Sequence, residues 1–381
     1  MKQASRNLIL ISLSQFGAAF SFNFVNIFLP FFTFNVSPYP YPETLLWTGF
    51  IIGSTGLVTA LTSTFWGSMT HRFSPKKMYL IGFLLHAIMF LLMGFTTKLY
   101  LLLTLRICQG LVGGVSTIGM IIVFSSSLKE RVSFNLGVFQ SSMTFGQLVG
   151  PLLGSLAAAT LGFKGAFVTA SGMLFASFLF CHLYVTDVPL LPRETKTSGR
   201  LTIDKRIIIG WALCFAAQTQ LMFLPSVLPR VFERFSVEQT LALKLAGLVV
   251  MFYTATAMIG TYVWSWLSRR WGVQKMIVFL FISGILLQSM LALSRGIVDF
   301  TIIRMIQTGM VAATIPLVIS LFVNEPKGST IGFLNSARFT GNALGPIIAT
   351  SILAFSNLTT LYLFISGITL IAFLTFRHSF K

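Results

Sequence analysis

Apolar residues run through this chain in long stretches, without the alternation of a strand or the narrow stripe of a surface helix. Stretches of about 18 residues or more recur from end to end, and each, as a helix, would cross a hydrocarbon layer of about 30 Å. The pattern predicts twelve spans, centred near residues 20, 57, 86, 112, 148, 175, 218, 254, 285, 311, 341 and 368. The first runs past Phe28 with no small-residue cleavage site, so it reads as a retained helix and not as a signal peptide. The expectation is an all-α polytopic membrane protein.

Composition agrees. Of 381 residues, 55% are hydrophobic and only 9% charged, against about 25% charged in a soluble domain. The net charge of +18 raises the question of nucleic acid, and its distribution answers it. Eighteen of the 27 Lys and Arg fall in alternate connections, such as "HRFSPKK", "LKER" and "SRRWGVQK". That asymmetry predicts both termini on the cytoplasmic side, in a bacterial inner membrane. A nucleic-acid partner would need one contiguous basic face, which the sequence lacks. Cys108, Cys181 and Cys214 fall inside spans with no metal-ligand spacing. No metal and no cofactor is expected.

The two halves of the chain repeat one another. "WGSMTHRFSPKKM" (66–78) matches "WSWLSRRWGVQKM" (264–276) through Trp66, Arg72, Lys77 and Met78, at a constant offset of 198. At the same offset Arg106 and Gln109 meet Arg304 and Gln307. "GQLVGPLLGS" (146–155) meets "GNALGPIIAT" (341–350) at an offset of 195, aligning Gly150 and Pro151 with Gly345 and Pro346. The organisation read from this is a six-helix bundle over 1–185, a cytoplasmic linker over 186–206 and a second six-helix bundle over 207–381. Parallel repeats of this kind are a transporter signature, with the substrate held near mid-membrane.

These residues resemble the major facilitator superfamily, and within it the branch of twelve-span drug:proton antiporters. The first-loop motif of that family, Gly-x-Leu-Ala-Asp-Arg-x-Gly-Arg/Lys-Lys, is met by Gly67, Arg72 and Lys76, with His71 standing where the Asp belongs. The fourth-span motif Arg-x-x-Gln-Gly is intact as Arg106, Gln109 and Gly110. The fifth-span motif Gly-x-x-x-Gly-Pro-x-x-Gly is intact as Gly146, Gly150, Pro151 and Gly154, and resembles the form carried by exporters. The resemblance implies two pseudo-symmetric bundles, and a gating role for Gly67, His71, Arg72, the Gly146–Gly154 motif, Gly345 and Pro346.

Physics gives the glycines a meaning of their own. Gly in a helix costs roughly 1 kcal/mol relative to Ala and Pro about 3. Residues 146, 150 and 154 recur every four positions and form a smooth strip on which another helix can approach closely. Pro151 removes one backbone hydrogen bond and bends the helix. Either the strip is a surface on which the halves rock, or it is a static packing face.

Ionisable residues inside a membrane are functional candidates. Arg106, Arg304, Arg338 and His86 fall within spans, whereas all nine acids fall in predicted loops or at span edges. Proton-coupled members of the resembled branch carry an intramembrane acid, and this chain departs from that pattern. The candidate substrate-binding set is Arg106 with Gln109, Arg304 with Gln307, Asn335, Arg338 and Asn342 on one face, Asn23 and Asn26 before Pro30, and Gln218 and Gln220 before Pro225. His86 is weighed as a proton carrier against a satisfied partner between helices.

The reading is an alternating-access exporter of an amphipathic small molecule, the arginines favouring a negatively charged one. It is not expected to be an enzyme. Alternatives are a dedicated exporter of a metabolite, siderophore or lipid-like molecule, and, from other classes, a membrane sensor or an integral membrane enzyme. Membrane lipids are expected partners, a proton or sodium ion is the candidate coupling ion, and the expected state is a monomer.

Overall fold

The computed structural model describes residues 2–70, 72–128, 131–186, 205–322 and 328–379. His71, and the acids Glu130, Asp187, Glu194, Asp204 and Glu325, lie outside the described residues, as does most of the expected linker. Among the described residues every regular element is a helix, as a bilayer requires, because backbone polar groups in hydrocarbon must be satisfied within the segment.

The order is α1 (Lys2–Val36), α2 (Tyr41–Met69), α3 (Pro75–Phe95), α4 (Leu99–Leu111), α5 (Val115–Ser126), α6 (Val132–Tyr184) and α7 (Lys205–Met222). It continues with α8 (Leu224–Arg234), α9 (Gln239–Trp271), α10 (Val273–Met290), a 3-10 turn, α11 (Ile297–Val311), α12 (Thr314–Phe322), α13 (Gly328–Phe355) and α14 (Leu358–Ser379). Among the described residues, nine helical segments are long and apolar enough to cross a membrane, or ten when the bent pair α7 and α8 is included. One of the nine, Phe134–Tyr184, spans 51 residues, over twice the roughly 20 that a crossing needs. It breaks at Gly162, where φ is 71° and ψ is 169°. Counting its two limbs separately gives eleven, and α13, less apolar than these, is consistent with a twelfth.

Three spans are less regular than their hydropathy suggests. The fourth and tenth, expected around 112 and 311, are interrupted close to those centres, between α4 and α5 and between α11 and α12. The reason at the first break is close approach: a side chain at Gly113 would collide with Thr59, and one at Gly114 with the Trp66 ring. The seventh span bends by 43° between Met222 and Leu224, just before Pro225, which cannot supply a backbone donor.

Contacts divide the chain into two compact units. The first comprises Met1–Ser37, Leu57–Thr197 and Leu243–Leu248, and the second Pro38–Gly56, Ser198–Ala242 and Val249–Lys381. Relative to the expected halves, the first part of α2 groups with the second unit and one stretch of α9 with the first. In the first unit α1 packs along α6 through a phenylalanine seam. Phe28 and Phe32 meet Phe167 edge-on at 5.0 and 5.1 Å between ring centroids. The second unit has a core of Leu213, Met276, Ile277, Leu280, Phe281 and Val318, contributed by α7, α10 and α12.

Candidate functional site

The polar residues singled out by the sequence gather into three places. The first lies in the first unit, where α4 carries Arg106 and Gln109 on one face. Arg106 is 2% exposed. Its Nη1 donates to Gln109 Oε1 at 3.1 Å, and its Nη2 donates to Asn26 Oδ1 of α1 at 2.9 Å. The neighbouring Gln109 Nε2 is buried with no hydrogen-bond partner among the described residues. Asn23 turns back on its own helix and donates to the Ala19 carbonyl at 2.8 Å. His86 does likewise: its Nδ1 lies 2.6 Å from the Gly82 carbonyl, and its ring packs edge-on to Phe22.

The second place is the counterpart in the second unit. Arg304 is fully buried. Its Nη1 donates to Gln307 Oε1 at 2.6 Å, reproducing the arginine–glutamine pair of α4 on α11. Its Nη2 donates at 2.9 Å to the Leu221 carbonyl, one of the acceptors left at the end of α7. The guanidinium lies 5.0 Å from the ring centroids of both Phe223 and Tyr253, whose π faces favour a cation. Gln307 Nε2 donates to Gln220 at 2.6 Å and to Gln288 at 3.2 Å, and Gln220 donates to Thr369 at 2.7 Å. The described acids Glu43, Glu238 and Asp299 stand at helix N-termini, and Glu233 pairs with Arg230 in the last turn of α8. Both buried arginines are therefore held by amides, and Arg304 also by a carbonyl and rings.

The third place is different. Arg338 on α13 is exposed and has no hydrogen-bond or ion-pair partner among the described residues. It lies within electrostatic reach of Cys214 on α7. Asn342, one turn on, is exposed and accepts a hydrogen bond from Gln218 Nε2 at 2.7 Å; Asn335 is half-buried. On α7, Trp211 and Phe215 are stacked 5.5 Å apart at an interplanar angle of 5°. The Trp211 indole is fixed by donating to Ser336 Oγ at 3.0 Å. A cation with no ion pair among the described residues, two amides and a stacked aromatic pair thus lie on the two packed helices α7 and α13. Trp211 and Phe215 were missed by the sequence reading, although residues 211, 215 and 218 have the spacing of one helix face.

The glycine motif turns out to have two faces. A side chain at Gly146 would meet the Phe16 carbonyl at 2.7 Å, one at Gly150 the Phe20 carbonyl at 2.7 Å, and one at Gly154 the Phe24 backbone. The strip lies on α1, inside the first unit. On its other side the Pro151 carbonyl, Leu152 and Ser155 meet Gly247 of α9, and Ser155 Oγ donates to the Lys244 carbonyl at 3.4 Å. The second copy is arranged in parallel. Gly341 and Gly345 lie on α7 against Phe215, Gln218 and Thr219, while Ala343 and Ile347 meet Gly53 and Thr350 meets Gly49 of α2. Gly49, Gly53 and Gly247 were not picked out beforehand; the four-residue spacing of Gly49 and Gly53 is the signal that could have found them. Of the loop candidates, Gly67 lies in the last turns of α2 and Arg72 is exposed beyond them.

Among the described residues no group of three or more His, Cys, Asp and Glu is placed to hold a metal ion. A family model described as the Major Facilitator Superfamily matches residues 11–306. The chain is 25% identical over 376 residues to the uncharacterized MFS-type transporter YuxJ of Bacillus subtilis (strain 168), covering 93% of this chain and 95% of that one. It is 24% identical over 359 residues to the multidrug resistance protein MdtG of Serratia proteamaculans (strain 568), covering 92% and 87%. Among solved structures, the nucleoside transporter NupG superposes with a TM-score of 0.79 at 13% identity, covering all of both chains. The human organic anion transporter MFSD10 (TETRAN) gives 0.68 at 15% identity, covering 97% and 99%.

Proposed function

The chain belongs to the Major Facilitator Superfamily of multi-pass membrane transporters, and we propose that it is an alternating-access exporter of amphipathic, anionic organic molecules. Export is supported by the glycine–proline motif of α6 and by relatives named as multidrug resistance proteins. The observation that carries the choice of cargo is Arg338. An unpaired cation within a span costs a few kcal/mol on insertion scales, and among the described residues no hydrogen bond or ion pair offsets it. An acidic group on the cargo would, with the amides of Asn335 and Asn342 beside it and an apolar body against Trp211 and Phe215. Arg106 and Arg304 then act chiefly by holding α1 and α7 in place, and reach cargo only if those contacts open. The inner membrane, cytoplasmic termini, a monomeric state and coupling to a proton or sodium gradient belong to the same proposal.

The test is transport of matched pairs that differ only in an ionised carboxylate against its neutral amide. The carboxylate should be exported better by the unaltered protein, and Arg338→Gln should abolish that preference. Better export of the neutral member, unchanged in Arg338→Gln, would refute the anion site. Dissipating the proton and sodium gradients separately identifies the coupling ion.

A further inference from the structure

The α2–α3 turn, where the family resemblance puts gating residues, holds a feature that the proposed cargo site does not use. A cavity of about 450 Å³ opens there, within the range of about 300–1,000 Å³ typical of small-ligand sites. Its walls include Trp66, Met69, Phe73 and Met78, with the cations Arg72 and Lys77 among its lining residues. Trp66 is a fixed wall, because its indole donates to the Leu111 carbonyl at 2.6 Å. Phe73 is 53% exposed. Lys76 is engaged elsewhere, donating to the His182 carbonyl at 3.1 Å. The side chains of Arg72 and Lys77 are exposed and make no hydrogen bond or ion pair among the described residues.

The repeat shows that this is not a by-product of the shared sequence. Arg270 aligns with Arg72, yet α9 stays helical through Trp271 and the Arg270 guanidinium packs 4.8 Å from the Trp266 ring centroid. In the first unit α2 stops at Met69 and α3 starts at Pro75, capped by Ser74. The turn between them is what frees Arg72.

We propose that this cavity binds an anionic phospholipid. Two cations with no ion pair among the described residues, at the end of a membrane span, match a phosphate, and the apolar walls match the start of an acyl chain. The connection lies on the Lys- and Arg-rich side of the spans, where anionic headgroups attract such residues. A soluble anion would satisfy the cations and leave the apolar walls unused.

The experiment titrates phosphatidylglycerol onto the full-length protein in detergent and counts retained lipids by native mass spectrometry. Arg72→Gln with Lys77→Gln should weaken the tightest phosphatidylglycerol, at about five-fold per basic residue, by about 25-fold in all. Arg72→Lys, which keeps the charge, should retain binding and so exclude misfolding as the cause; Arg270→Gln should leave it unchanged. Binding should weaken as salt rises. Equal affinity in the double variant, equal retention of phosphatidylcholine, or displacement by millimolar inorganic phosphate would each overturn the proposal.

Discussion

Arg304 donates to the Leu221 carbonyl at 2.9 Å, where α7 gives way to α8. The contact ties a buried charge to a helix end that has lost its own donor. Arg304→Met should leave the Leu221 carbonyl and Gln307 Oε1 without this donor, at about 2–4 kcal/mol together. Arg304→Lys keeps the charge but lacks the fork to reach both acceptors, so it should fall between. Thermal unfolding in detergent checks the order; equal stability of all three would mean that the contact does not hold the bend.

Gly162 divides α6 with φ 71° and ψ 169°, a region essentially reserved for glycine. A Cβ there would meet nothing within 4 Å, so any penalty is in the backbone alone. Gly162→Ala should therefore destabilise by roughly 1–3 kcal/mol. Gly172, also in open space but with ordinary helical geometry, is the control: Gly172→Ala should be neutral or stabilising. Denaturant midpoints of the two variants decide it.

Those two residues also mark what could be read beforehand. Hydropathy revealed the spans because a helix in lipid satisfies its own backbone, so the signal is local. The arginine–glutamine pairs were legible for the same reason, being three residues apart on one helix. Long-range facts were not. Arg106, Arg304 and Arg338 look alike as single charges in apolar runs, yet the first two are buried by Asn26, Leu221 and two rings from distant elements, while the third is exposed. The helix breaks near 112 and 312 were hidden in apolar sequence, and the former follows from a neighbour, α2, meeting Gly113 and Gly114.

Trp211 stacks on Phe215 and is tied to Ser336. If the pair seats the apolar body of the cargo, Trp211→Ala should raise KM about 2–12-fold, the worth of an aromatic contact of 0.5–1.5 kcal/mol. Trp211→Phe should lose the Ser336 hydrogen bond but keep most of the affinity. Concentration-dependent transport separates the two, and an unchanged KM in Trp211→Ala would remove these rings from the site.

The glycine strip gives the sharpest contrast. Gly154 lies on the Phe24 backbone so closely that no Cβ fits. Backbone cannot swing aside as a side chain can, so Gly154→Leu must push α1 away from α6. That separation would also disturb the phenylalanine seam from Phe28 to Phe167 and the reach of Arg106 to Asn26. The expected result is loss of folded protein, with a drop in stability above the roughly 1–3 kcal/mol of ordinary overpacking. Gly137 lies on the same helix with nothing within 4 Å, so Gly137→Leu should be neutral or gain up to about 1 kcal/mol in helix propensity. Fluorescence size-exclusion yield and melting temperature report both. If Gly154→Leu folds normally and loses only transport, the contact with α1 opens during the cycle, and the strip is a moving surface. If it fails to fold while Gly137→Leu is intact, the strip is the packing face that joins α1 to α6.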